Sequence, residues 1–141
     1  ANELAGVGGG DDLDILMAAV LHDTVEDTGT RPEELGRRFG ETVRRFVEEV
    51  SADKSLPRDE RKRLQIERAA SMSRGAKLIR IGDKICNVRE VMLDPPVDWS
   101  SVRKREYLDW AVAVVAGCRG ANENLERRFD EVQEMGRSLI R

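Results

Sequence analysis

Cysteine is scarce and dispersed in this chain. Cys86 and Cys118 are the two among 141 residues, each set between apolar neighbours and neither in a CxxC pair. That excludes a disulfide framework and a thiolate zinc site, and fits small core residues in a reducing compartment. Aromatic residues make up 4% of the chain, so the core must be mainly aliphatic. Long apolar runs are missing too. The longest, "ILMAAVL" and "AVAVVAGC", are too short to span a bilayer and follow no signal-peptide pattern. The expectation is a soluble, cytoplasmic protein that binds no membrane. Histidine is the rarest chemically useful residue: His22 stands alone.

What is abundant is charge on an aliphatic background. Hydrophobic residues make up 40% and charged residues 36%, which suits one helical domain with a real core. The net charge of −3 conceals a marked asymmetry. Residues 1–53 hold 13 acids against 5 bases, residues 54–89 hold 11 bases against 4 acids, and residues 90–141 hold 10 acids against 8 bases. A basic middle beside an acidic cluster suits a metal site facing an anionic, phosphorylated ligand. Most of those bases are expected on a solvated helix face.

No segment reads as a strand, and the fold class expected is all-α, a single helical bundle over 1–141. Residues 12–23 are apolar all round and belong at the centre of such a bundle. Thr30 should cap the next helix through the capping box "TRPE", with a proline in its first turn, and Gly40 should end it. Residues 41–50 carry Val43, Phe46, Val47 and Val50 on one face. Pro57 opens a charged helix reaching about Ser71. Residues 75–93 form a long helix whose buried stripe is Leu78, Ile81, Ile85, Val88 and Met92. Two closing helices, 101–118 and 122–138, should separate near Gly117 and Gly120.

Chemistry concentrates in two places. "LHDTVEDTG" crowds His22, Asp23, Glu26 and Asp27 into six residues at the end of an apolar helix. Like charges at that density need a compensating partner, and an imidazole with carboxylates suits a divalent metal. Asp83 interrupts the apolar "LIRIGDKICNV", with Asn87 one turn later and projecting the same way. A buried aspartate needs a cation or several donors. A salt bridge to Lys84 or Arg80 would serve, and so would a metal shared by His22, Asp23 and Asp83.

"AAVLHDTVEDT" followed by "AKLIRIGDKICNVR" resembles the HD-domain hydrolases of the RelA/SpoT superfamily. It is most like the small alarmone hydrolases, the group that includes the metazoan SpoT homologue. "FGETVRRFVEEVSADKSLPRDERKRLQIE" and "REYLDWA" extend the resemblance to about residue 130. It implies an HD-domain helical bundle and a Mn²⁺-dependent (p)ppGpp 3′-pyrophosphohydrolase. Such an enzyme releases pyrophosphate and GDP or GTP through a metal-activated water. It also implies His22, Asp23 and Asp83 as metal ligands and Glu26 and Asp27 as the acid pair beside that water. Asn87, Arg58, Arg103 and Tyr107 match substrate-binding positions. The ligand implied is a small nucleotide, ppGpp or pppGpp, and not a nucleic acid. A homodimer is compatible with the pattern.

One family feature has no counterpart. A further histidine, in an upstream "HP"-containing helix, completes the family's metal ligands, and the family's first helix holds the nucleotide base. Because the chain starts at Ala1, in mid-element, that segment is expected upstream in the natural protein. The 141 residues alone are expected to bind metal poorly and to turn over slowly, if at all, for want of that histidine. Two other functions stand beside the alarmone hydrolase. One is a related phosphohydrolase acting on NADPH or another phosphorylated nucleotide, and the other is a catalytically impaired nucleotide-binding module.

Overall fold

The computed structural model describes residues 31–51, 55–94 and 98–140, and among them every regular element is a helix. They are α1 (Pro32–Phe39), α2 (Glu41–Val50), α3 (Arg58–Ala69), α4 (Arg74–Leu93), α5 (Ser101–Cys118) and α6 (Glu123–Leu139). The all-α expectation holds. The apolar helix expected over 12–23 lies outside the described residues.

Local chemistry sets most helix ends. Ser73, Ser100 and Asn122 each accept a backbone N–H at the start of α4, α5 and α6, from Ala76, Arg103 and Leu125 respectively. These bonds satisfy donors that no helix can satisfy internally. Helix α1 departs from expectation. Its N-cap is Arg31, with no side-chain cap bond, and Pro32 occupies the first turn. The proline decides this start, since its fixed φ suits N1 and it has no N–H to satisfy. Gly40 ends α1 and begins α2 with φ +96° and ψ 160°, a region closed to residues with a Cβ. Gly120 (φ +96°) makes the turn between α5 and α6. Gly117, by contrast, lies inside α5 and marks no break.

Helix α4 is the axis of the bundle. It packs against α2, α5 and α6, while α3 lies along α5. Leu78, Ile79, Ile81, Ile85 and Val88 of α4 are buried against Val43, Val47 and Val50 of α2, Leu108, Ala111 and Val115 of α5, and Leu125, Phe129 and Val132 of α6. Phe129 is the one aromatic side chain in this fully buried set, so the core is aliphatic, as the composition demands. Cys118 is buried, Cys86 is half-buried, and the two form no disulfide. Among the described residues no helix is long and apolar enough to cross a membrane.

Candidate functional site

Two groups of predicted residues converge on the same side of the bundle. The first is on α4. Asp83 and Asn87 sit one turn apart, and the Asn87 Nδ2 donates to Asp83 Oδ2 at 3.3 Å. The same oxygen lies 3.5 Å from Lys84 Nζ and 3.8 Å from an Arg80 guanidinium nitrogen. Lys84 and Arg80 are themselves buried. The salt-bridge alternative is therefore realised, and it leaves Asp83 a partly exposed carboxylate (19%) on a rigid buried helix.

The second group lies where α3 meets α5. Arg58, Arg103 and Tyr107 line one pocket of about 160 Å³, joined by Asp59, Lys62, Trp99 and Glu106. Arg58 opens α3, while Arg103 and Tyr107 are one turn apart on α5. Trp110 fastens the two helices by donating its Nε1–H to the Lys62 carbonyl at 3.1 Å.

An aromatic ladder joins the two groups. Trp99 and Tyr107 have ring centroids 5.6 Å apart, and Tyr107 and Trp110 5.5 Å, both tilted. Arg103 stacks on Trp99 at 4.3 Å. Lys62 and Lys84 lie over the Trp110 ring, at 4.9 and 4.1 Å. Each cation is drawn to the negative face of the ring. Trp110 thus ties Lys84, the neighbour of Asp83, to Lys62 of the pocket.

The electrostatics reflect this crowding. The Tyr107 hydroxyl is pushed up from 10 to about 12, first by burial and then by the charges of Asp83 and Glu90. It is a permanent hydrogen-bond donor at neutral pH. Lys62 is held below the usual lysine range by burial and by the like charges of Arg58 and Arg103. An anion in the pocket would relieve that repulsion.

His22, Asp23, Glu26 and Asp27 lie outside the described residues, and among the described residues no three metal-ligating side chains gather. Of the predicted metal ligands, Asp83 is the one described. Its carboxylate oxygen is a hard donor of the kind divalent cations take. Sequence reasoning missed Lys62, Trp99 and Trp110, while Lys84 was reached as a partner of Asp83. Tryptophan at 99 and 110 flanks Tyr107 at i−8 and i+3, a spacing close to one helix face that could have drawn attention to it.

The sequence matches the HD domain over residues 1–104. The chain belongs to the HD-domain family. Among relatives of this HD domain, guanosine-3′,5′-bis(diphosphate) 3′-pyrophosphohydrolase MESH1 of Xenopus tropicalis is 48% identical over 132 residues, covering 94% of this chain and 74% of that protein. The Homo sapiens protein of the same name is 51% identical over 115 residues, covering 82% and 64%. The HD domain also superimposes on the solved structure of a metazoan ortholog of SpoT that hydrolyzes ppGpp. The TM-score is 0.83 at 47% identity, over 88% of this chain and 70% of that one. A structure from Listeria monocytogenes shares the fold alone, with a TM-score of 0.78 at 22% identity.

Proposed function

We propose that this chain is a guanosine-3′,5′-bis(diphosphate) 3′-pyrophosphohydrolase that uses Mn²⁺ and works in the cytoplasm. Its identity to MESH1 of three vertebrates, between 47% and 51%, supports the reaction. The observation that carries it in the structure is the convergence of Arg58, Arg103 and Tyr107 on one cationic pocket, with Tyr107 close enough to feel the charge of Asp83.

In the reaction, water adds to the phosphorus on the 3′ oxygen, the bond to that oxygen breaks, the ribose oxygen takes up a proton as its 3′-hydroxyl, and pyrophosphate leaves a 5′-phosphorylated nucleoside. Arg58, Arg103 and Lys62 hold the phosphates, the arginines through their paired guanidinium N–H groups. Tyr107, neutral throughout the working pH range, donates to a phosphate oxygen. Asn87 orients Asp83 and offers its carboxamide to the nucleotide. His22, Asp23 and Asp83 would hold the metal. When bound, such an ion acidifies water and offsets the charge that develops on phosphoryl oxygens. Glu26 or Asp27 takes the proton from the attacking water.

The test supplies the full-length protein with Mn²⁺ and ppGpp, pppGpp or NADPH and follows pyrophosphate and phosphate release separately. Pyrophosphate from ppGpp and pppGpp is expected, and phosphate from NADPH as the faster product would replace this reading with the NADPH one. Asp83→Ala should lose turnover of every substrate by about 10³-fold or more, in line with the loss of a metal ligand or charge-stabilising group. Retained turnover would remove Asp83 from the metal site.

A further inference from the structure

A second cavity lies away from the pocket of Arg58 and Tyr107, between the end of α2 and the inner face of α3. Its volume is about 100 Å³, and Arg61, Gln65, Arg68, Arg80 and Glu49 contribute polar groups to its walls. That space holds several waters or one small ion. Arg61 Nε and Gln65 Oε1 are buried there with no hydrogen-bond partner among the described residues. A buried unsatisfied donor or acceptor costs about 1–3 kcal/mol, so two in one cavity mark a place shaped for something else.

Charge narrows what that is. Among the described residues, three guanidinium groups border the cavity against one carboxylate. Both Glu49 oxygens already accept from Ser73, one from its backbone N–H at 2.9 Å and one from its hydroxyl at 2.8 Å. Arg80 shares its charge with Asp83 and donates to the Val50 carbonyl at 2.9 Å. Neither Arg61 nor Arg68 forms an ion pair among the described residues. Water would satisfy the hydrogen bonds but would leave the excess positive charge uncompensated. An oxyanion satisfies both, because guanidinium N–H groups fit its oxygens. The Gln65 carboxamide can turn to present its NH₂ to the same anion. The volume suits one tetrahedral group and no nucleotide.

We propose that this cavity is a second ligand site, distinct from the nucleotide pocket, that takes a single phosphate-sized oxyanion. Arg61 and Gln65 are its inner contacts, and Arg68 supplies charge at its mouth.

The test titrates inorganic phosphate into the metal-free chain while recording the ¹⁵N–¹H resonances of arginine Nε–H groups. The Arg61 resonance should shift saturably. Arg58→Gln, which strips a cation from the other pocket, should leave that shift and its midpoint unchanged. Gln65→Leu should weaken the midpoint by roughly tenfold, the worth of one charge-assisted hydrogen bond. An Arg61 resonance that stays in place as phosphate rises would overturn the proposal. So would a shift abolished by Arg58→Gln, since phosphate would then be acting from the nucleotide pocket. If Gln65→Leu fails to fold, the parent and Arg58→Gln titrations decide the matter. None of these readouts depends on whether the chain hydrolyses ppGpp.

Discussion

Lys84 shows how one side chain serves both the core and the site. It is 2% exposed, yet it carries a charge balanced by Asp83 at 3.5 Å and by the Trp110 face at 4.1 Å. Removing one partner of a buried ion pair is costly because the other is stranded. Asp83 keeps Arg80 and some solvent, which limits the loss. Lys84→Met should therefore destabilise the chain by about 2 kcal/mol in urea unfolding and alter Trp110 fluorescence; unchanged stability would show that the lysine is dispensable. Tyr107 gives a pH prediction with a definite sign. Its folded pKa of about 12 stands above the unfolded 10, so the folded state keeps a proton that the unfolded state loses between these values. Its stabilisation is complete below pH 10 and disappears as pH climbs toward 12, by on the order of 2 kcal/mol. Tyr107→Phe should flatten the alkaline limb of the stability profile and raise KM without introducing a new pKa near neutrality.

At the level of elements, close approach of α3 and α5 builds the pocket of Arg58, Arg103 and Tyr107, and Gly117 permits the approach. A Cβ added there would lie 2.6 Å from the Ala69 Cβ and 3.0 Å from the Ala70 backbone nitrogen. On an open helix surface Gly→Ala would stabilise by about 1 kcal/mol. Here Gly117→Ala should instead cost roughly 1–3 kcal/mol through overpacking, seen as a lower Tm. A rise in Tm would mean the helices part freely. This glycine also illustrates what was legible in the sequence. Helical periodicity placed α2 through α6 to within a residue or two, because each buries an aliphatic stripe that recurs every three or four positions. Gly117 resembled a helix break, because a glycine needed for contact and a glycine needed for a turn look alike until the partner helix is known. Asp83 and Asn87 were legible because a polar pair one turn apart on an apolar helix is locally anomalous. Arg58, Arg103 and Tyr107 were reached through the family resemblance. Their meeting is long-range, between two helices some forty-five positions apart, and no local pattern encodes it. Lys62, Trp99 and Trp110 escaped for the same reason. Each stands in a charged or loop context, and its role arises only when α3 and α5 pair.

Across the whole molecule, charge is sorted along the chain. The segment 54–89 holds 11 bases and 4 acids, and it forms α3 and most of α4, the two helices that carry Arg58, Lys62 and Asp83. Much of this charge is locally neutralised, as where Arg63 is held between Glu60 and Glu67 on the exposed face of α3. Arg58 and Lys62 border one cavity and Arg61 and Arg68 the other, so the field there is positive although the molecule as a whole is acidic. A substrate with four or five phosphates is steered by that field from beyond contact distance, and salt weakens the steering as the Debye length shrinks from about 10 Å at 0.1 M toward 3 Å at 1 M. KM for ppGpp should accordingly rise several-fold, by roughly three to ten times, between 0.05 and 0.5 M NaCl. The maximal rate should change little, because charges in contact with bound substrate are less screened than those acting at a distance. Arg58→Gln should flatten the dependence, having lost a cation at the pocket. A KM indifferent to salt in the parent chain would mean that contact geometry, and not the sorted charge of 54–89, brings the nucleotide in.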